Sequence, residues 1–494
     1  MPFDLDRYRE RAERFSGELS REYYLHMSGR KAELEIESIY RRFADLFDKD
    51  AVARLRDLAG GAPDGDPRRR LRYLLHFAID GLIGIETRDE SVELAGLEAS
   101  LEVDPGDGPV PFRAIQIEQA NEPDPERRAR LEEARGAVLV QHLNPLHHAA
   151  LERGHEICSG LGWPSYAAAY GELRGIDLEG LAGQAARFLE ATRSAYPEVM
   201  DPELERAGVA RLAELRRCDM PRFFRAAELD SMFEAERLIG SFRATMGSLG
   251  IDLDRQPNVH LDTEKRPTKS PRAFCSVPRV PDEIHLVISP HGGCDDYGAL
   301  FHEGGHAEHY AHTDPALAFE FRMLGDNSVT ESFAFLLEHL VSKPLWLRER
   351  LGVQDPQRAI DQARAAKLLM LRRYSAKLAY ELELHGEPGA LTEMPDRYAT
   401  LLGDAVRIPW PAESWLADVD DGFYAACYLR AWALEARWWG ALQEQFGEAW
   451  FDDPRAGDWL REVWREGQRL DADELLAERL GGEPLDLAAL AGGI

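Results

Sequence analysis

The chain has 494 residues, 44% apolar and 30% charged, enough for one large catalytic unit or two to three ordinary globular domains. Its formal net charge of −29 lacks the basic footprint that phosphate binding needs, which excludes nucleic acid as an expected partner. No stretch approaches the roughly 20 apolar residues of a membrane span, and five scattered cysteines without C-x-x-C spacing read as reduced thiols of a cytoplasmic protein.

Met1 to Phe15 is charged throughout and has no apolar core of a signal peptide. Residues 1–57 read as amphipathic helices, and Ala59 to Gly65 as a loop. A helix over Arg69 to Ile85 and a turn cluster at Val103 to Gly108 follow, with helices resuming until about Glu156. His142, His147, His148 and His155 fall close together, but Pro145 interrupts the local helix and His155-Glu156 lacks a second histidine at the right spacing. They are expected to be ordinary packing or surface histidines. Leu178 to Leu249 is helical again, with Pro202 and Pro221 expected in first turns. Helical period is then lost from Pro257 to Pro290, where Ile284-His285-Leu286-Val287-Ile288 is the best strand in the sequence.

His302-Glu303-Gly304-Gly305-His306 comes next. On a helix, two histidines four apart share a face and can meet one metal ion. Glu303 lies about 100° further round, placed to take a proton from a zinc-bound water without binding the metal. That is the zincin arrangement. Asp295 and Asp296 are expected to supply the N-cap and first-turn carboxylates of this helix. The two glycines oppose it by about 1 kcal/mol each, an exception that close approach of another backbone or a ligand would explain. A strand beside such a helix offers its edge to an extended peptide, which makes Leu286 and Ile288 candidate substrate contacts.

A catalytic zinc needs a third protein ligand and an open position. His312 overlays the long pattern H-E-x-x-H-x-x-G-x-x-H, but His309 stands where that pattern needs glycine. An unbroken helix turns His312 roughly 240° away from His306. Glu331 is the better candidate. Gly325 to Ser328 forms a loop with capping residues, and the apolar run after it reads as a second helix with Glu331 in its first turns. The alternative for Glu331 is a capping-box glutamate three after Ser328.

Asp355 to His385 reads as one long helix, Pro409 to Asp421 as irregular, and Phe423 to Phe446 as helical. Tyr424 and Tyr428 share a face of that last helix. Arg430, on another side, can meet a substrate carboxylate or an acidic neighbour. Ala488 to Ile494 is expected to fray.

The spacing from His306 to Glu331 resembles that of the thimet oligopeptidase and oligopeptidase F family of zinc metallopeptidases, in which the chain would be a shorter, divergent member. Pro271-Arg272-Ala273-Phe274-Cys275, the stretch Asp282 to Pro290 with Gly292 to Asp296, and Gly422-Phe423-Tyr424-Ala425-Ala426-Cys427-Tyr428 resemble further motifs of that family. The likeness covers roughly residues 255 to 480. It implies a mainly α zincin-type fold with one small β-sheet beside the zinc helix. It also implies two helical halves, 1–225 and a zinc-binding 226–494, around a channel. One Zn2+ per chain on His302, His306 and Glu331, Glu303 as general base, and Tyr428 with Tyr424 at the oxyanion would make it an oligoendopeptidase for short peptides. Asp418 stands where the family usually has a histidine, which puts the usual histidine help to the oxyanion in doubt. The alternatives are a carboxypeptidase that clamps the peptide terminus with Arg430, or a zinc-containing peptide binder without turnover.

Overall fold

Apolar residues at helical spacing become helices along most of the chain, and strands are few. The structure, a computed structural model, describes residues 3–386 and 391–493. Helix α1 (Leu5–Met27) begins after Asp4, whose carboxylate accepts from the Arg7 amide and so satisfies a donor the first turn would leave open. A short antiparallel ribbon pairs β1 (Glu102–Val103) with β2 (Val110–Pro111). Helices α2 (Tyr166–Arg174) and α3 (Ala235–Ser248) precede a three-stranded sheet of β3 (Val259–Asp262), β4 (Phe274–Arg279) and β5 (Glu283–Val287). Then come α4 (Cys294–His312), α5 (Asn327–Glu338), the long α6 (Gln357–Leu384) and α7 (Tyr424–Phe446). No helix among the described residues is long and apolar enough to cross a membrane.

The chain divides into two units, each assembled from three segments. The first takes Met1–Leu82, Leu229–Ile360 and Arg430–Leu485; the second takes Ile83–Glu228, Asp361–Leu429 and Asp486–Ile494. The halves 1–225 and 226–494 run along the chain, whereas these units interleave; one boundary, between Glu228 and Leu229, falls near the expected break.

In the first unit the sheet order is β3-β5-β4, with β3 parallel and β4 antiparallel to the central β5. This corrects the expectation that Ile284–Ile288 offers a free edge. Its backbone is paired on both sides, and Leu286 and Ile288 are each only 1% exposed, so neither meets substrate across an edge. The apolar run reflects burial on both faces, as central strands require. The outer strands are β3 and β4, and α1 lies against part of β4: the Val277 amide donates to Ser20 Oγ at 3.1 Å, and the Ser276 hydroxyl donates to the Ser20 carbonyl.

In the second unit, β1 and β2 close over a core of Ile115, Leu131, Leu139 and Leu143, and Tyr380, Tyr398 and Leu402 centre another. Two local expectations change here. Pro202 sits inside helix Ala195–Arg206 rather than at its start. Leu487–Gly493 forms a 3-10 turn, with Leu487 buried and its amide donating to Gln184 Oε1, instead of fraying.

Candidate metal centre

Helix α4 starts with Gly293 at the N-cap; Asp296 turns back instead of capping, its Oδ2 accepting from the His291 and Gly292 amides at 2.5 and 2.8 Å. The helix runs unbroken to His312. His302 and His306 therefore share one face, their rings 4.9 Å apart and near perpendicular.

Gly304 and Gly305 are explained by what lies opposite. A Cβ on Gly305 would stand 2.5 Å from the Phe333 carbonyl oxygen and 2.6 Å from Ala334 Cα, both backbone atoms of α5. A Cβ on Gly304 would stand 2.5 Å from the Phe242 ring on α3. The absence of side chains lets α4 and α5 approach backbone to backbone, which carries the carboxylate on α5 to the histidines.

Helix α5 begins at Asp326, which accepts from the Ser328 amide at 2.9 Å and the Ala472 amide at 3.0 Å. Asp326, not Ser328, is the cap, so Glu331 is not a capping-box residue. Arg430 donates to Asp326 Oδ2 at 2.7 Å and to Asp473 Oδ2 at 2.9 Å, and is 6% exposed. This corrects its role as a clamp for a substrate carboxylate: its charge is already matched, and it ties down the start of α5.

Glu331 Oε2 stands 3.4 Å from His302 Nε2 and 3.5 Å from His306 Nε2. Ligands at about 2.0–2.1 Å in a tetrahedron stand about 3.4 Å from one another. Among the described residues this is the group of three metal-type side chains whose ligand atoms converge, all within 4.8 Å. The other ring nitrogens are held. His302 Nδ1–H donates to Glu338 Oε2 at 2.8 Å, and His306 Nδ1 is 2.8 Å from Thr330 Oγ1, which also bonds Tyr310. Such outer bonds fix each imidazole's tautomer and turn Nε2 to the common point. Two imidazoles and a carboxylate, oriented in this way, fit a zinc ion.

His302 and Glu331 also shift each other's ionisation. Burial disfavours charge on His302, but Glu331 and Glu338 outweigh it and hold the imidazolium well above the usual range. Burial also opposes ionisation of Glu331, and His306 and His302 outweigh it, keeping the carboxylate well below its usual range. Each shift reflects the close pairing of these histidines with the carboxylates of Glu331 and Glu338.

Glu303, next to His302 on the helix, accepts through Oε2 from the Cys275 amide of β4 at 2.8 Å. The Cys275 thiol itself is pushed well up, by burial and then by Glu303, so it is a packing thiol rather than a nucleophile. His312 caps inward, its Nδ1 2.9 Å from the Glu308 carbonyl and its ring against Trp464, as the unbroken helix requires. His309 is fully buried and near the Gly467 carbonyl.

Tyr424 and Tyr428 belong to the second unit. They share a face as expected, rings 5.0 Å apart, and Tyr374 of α6 continues the row, 5.4 Å from Tyr428. Asp418 lies in an ion cluster: it pairs with Arg373, accepts from the Tyr398 hydroxyl at 2.7 Å and stands 3.8 Å from Lys377 Nζ. Glu338, Thr330, the Cys275 amide and Tyr374 were not singled out from the sequence. Glu338 carries a readable signal, seven residues after Glu331 and so on the same face of its helix; a backbone amide on another element carries none.

No protein-family model and no curated protein matches the chain. Among solved structures it is similar to a crystal structure from Bacillus anthracis str. Ames that carries the provisional description oligoendopeptidase F. The TM-score is 0.60 at 14% identity, over 98% of this chain and 84% of that one. At that identity the likeness establishes the fold alone, a mainly helical one with few strands.

Proposed function

We propose that the chain is a zinc-dependent metallopeptidase that hydrolyses short peptides, acting as an oligoendopeptidase. The observation that carries this reading is the convergence of His302, His306 and Glu331 at tetrahedral spacing, with Glu303 next to the first histidine. The fold likeness to a protein described as an oligoendopeptidase F supports it.

His302, His306 and Glu331 would hold the ion. Zinc there would supply Lewis acidity, lowering the pKa of a water towards neutrality and polarising the scissile carbonyl. Glu303 accepts the proton of the attacking water and delivers it to the leaving amine. Its hydrogen bond from the Cys275 amide fixes one carboxylate oxygen and leaves the other for that transfer. Glu338 and Thr330 keep the two imidazoles in the tautomer that presents Nε2. The resemblance of Gly422 to Tyr428 to the family's tyrosine segment supports Tyr428, with Tyr424, as donor to the oxyanion, a contact typically worth about 3 kcal/mol. With Arg430 paired to Asp326 and Asp473, the cation proposed for terminal-carboxylate recognition is spent, which favours internal cleavage over trimming.

The test is digestion of a quenched fluorescent peptide blocked at its C-terminus. The reading requires cleavage at an internal bond, inhibition by chelator and loss of turnover in Glu303→Gln. Binding without cleavage would identify a peptide-binding protein, and cleavage only of the unblocked peptide a carboxypeptidase.

A further inference from the structure

Helix α7 is entered through an uncommon backbone step. Gly422 and Phe423 both adopt left-handed conformations, with φ of +57° and +59°. Glycine takes this region freely; phenylalanine does so only when its surroundings impose it. Phe423 is fully buried, and Tyr424 follows immediately.

One face of α2 imposes the step. Tyr166, Tyr170 and Arg174 are four residues apart in series and so line up on the helix. The Gly422 amide donates to the Tyr166 hydroxyl at 3.1 Å. Arg174 Nε donates to the Gly422 carbonyl, and its Nη1 lies 3.4 Å from Cys427 Sγ, one turn into α7. The Arg174 guanidinium also stands 5.7 Å from the centre of the Tyr424 ring. A Cβ on residue 422 would come within 2.4 Å of the Tyr170 ring, so glycine is required by space as well as by φ. Behind Tyr166, His385 stacks on its ring at 4.4 Å and pairs with His155 across 2.8 Å. That histidine pair, unremarkable in the sequence, backs the clamp.

We propose that Arg174 and Tyr166 are positioning residues that set the orientation of Tyr424 and Tyr428 by holding the Gly422–Phe423 step. Both groups bind backbone on the N-terminal side of α7, and Arg174 adds a second point of attachment along it. A small rotation of the step turns every side chain on the tyrosine face. Misplacing a hydrogen-bond donor by about 1 Å can remove most of its effect on a transition state while leaving substrate binding intact. The inference rests on the reading that Tyr428 assists peptide hydrolysis.

The test uses the full zinc-loaded chain and four variants: Arg174→Met, Tyr166→Phe, Tyr428→Phe and the double Arg174→Met/Tyr428→Phe. Expected for Arg174→Met is a kcat lowered about 10- to 100-fold, with KM within about twofold and zinc content unchanged. Tyr166→Phe keeps the ring and its stacking and loses only the acceptor, so it is expected to show a smaller loss of the same kind. It decides the matter if Arg174→Met does not fold. The double variant is expected to fall no more than about threefold below Tyr428→Phe, because the donor that Arg174 positions is already gone. If Tyr428→Phe is impaired but Arg174→Met and Tyr166→Phe keep full kcat, the positioning proposal fails and the peptidase reading stands. Multiplicative losses in the double variant overturn it as well. If Tyr428→Phe keeps full kcat, or the parent chain cleaves no peptide, the underlying reading fails and takes this proposal with it.

Discussion

Replacing Gly305 by alanine tests whether close approach of α4 and α5 builds the metal centre. Helix propensity alone predicts a gain of about 1 kcal/mol from glycine to alanine. The facing backbone predicts the opposite sign. The added Cβ would meet the Phe333 carbonyl oxygen at 2.5 Å and Ala334 Cα at 2.6 Å, about 1 Å inside ordinary contact. Both atoms are backbone of α5, so no rotamer change relieves the clash and the helices must part. Overpacking of this kind costs about 1–3 kcal/mol, leaving a net loss of up to about 2 kcal/mol. Glu331 sits two residues before Phe333 and moves with it. Zinc sites tolerate roughly 0.2 Å in ligand distance, so zinc affinity is expected to fall at least about tenfold. Gly440 in α7 is the control, since a Cβ there meets nothing within 4 Å and Gly440→Ala is expected to stabilise by up to about 1 kcal/mol. Denaturant unfolding and competition against a zinc chelator read the two effects. Gly305→Ala as stable as Gly440→Ala, with zinc affinity intact, would refute the close-approach account.

Glu338→Gln keeps the shape but weakens the hold on His302 Nδ1, and is expected to lower zinc affinity about 10- to 100-fold in the same competition assay. Arg430→Met leaves Asp326 buried without its cation and is expected to destabilise the fold by about 3–5 kcal/mol in urea unfolding. An activity loss without that destabilisation would return Arg430 to the substrate. His309 gives a pH dependence. Burial lowers its pKa to about 3, whereas the unfolded chain protonates it near 6.5. Below 6.5 the unfolded state therefore binds the extra proton, and His309 makes stability fall as pH drops from 6.5 towards 3, by up to about 1.4 kcal/mol per unit. Comparing unfolding at pH 7 and pH 5, His309→Gln is expected to lose less stability than the parent; an equal loss would contradict the assignment.

The helices and the two-histidine face were legible because period and spacing act within one segment. The same holds for the rejection of His312, which needed only the angle per residue along an unbroken helix. Glu331 was legible as a residue on the next helix; the glycine pair that brings the helices together was legible only as an anomaly. What failed depends on contacts far apart in sequence. Leu286 and Ile288 lie in an apolar run that is the same for a central strand and an edge strand, and only pairing with β3 and β4 decides between them. Arg430 shows no sign in its own segment that Asp326 and Asp473 claim it. Asp418 likewise shows its partners Arg373 and Lys377 only once α6 is folded beside it.

The most direct test is the zinc content of the purified chain after dialysis, measured beside Glu331→Ala. The account predicts close to one zinc per chain for the parent and little or none for the variant. A parent without zinc, or a Glu331→Ala variant that retains it undiminished, would contradict the central claim.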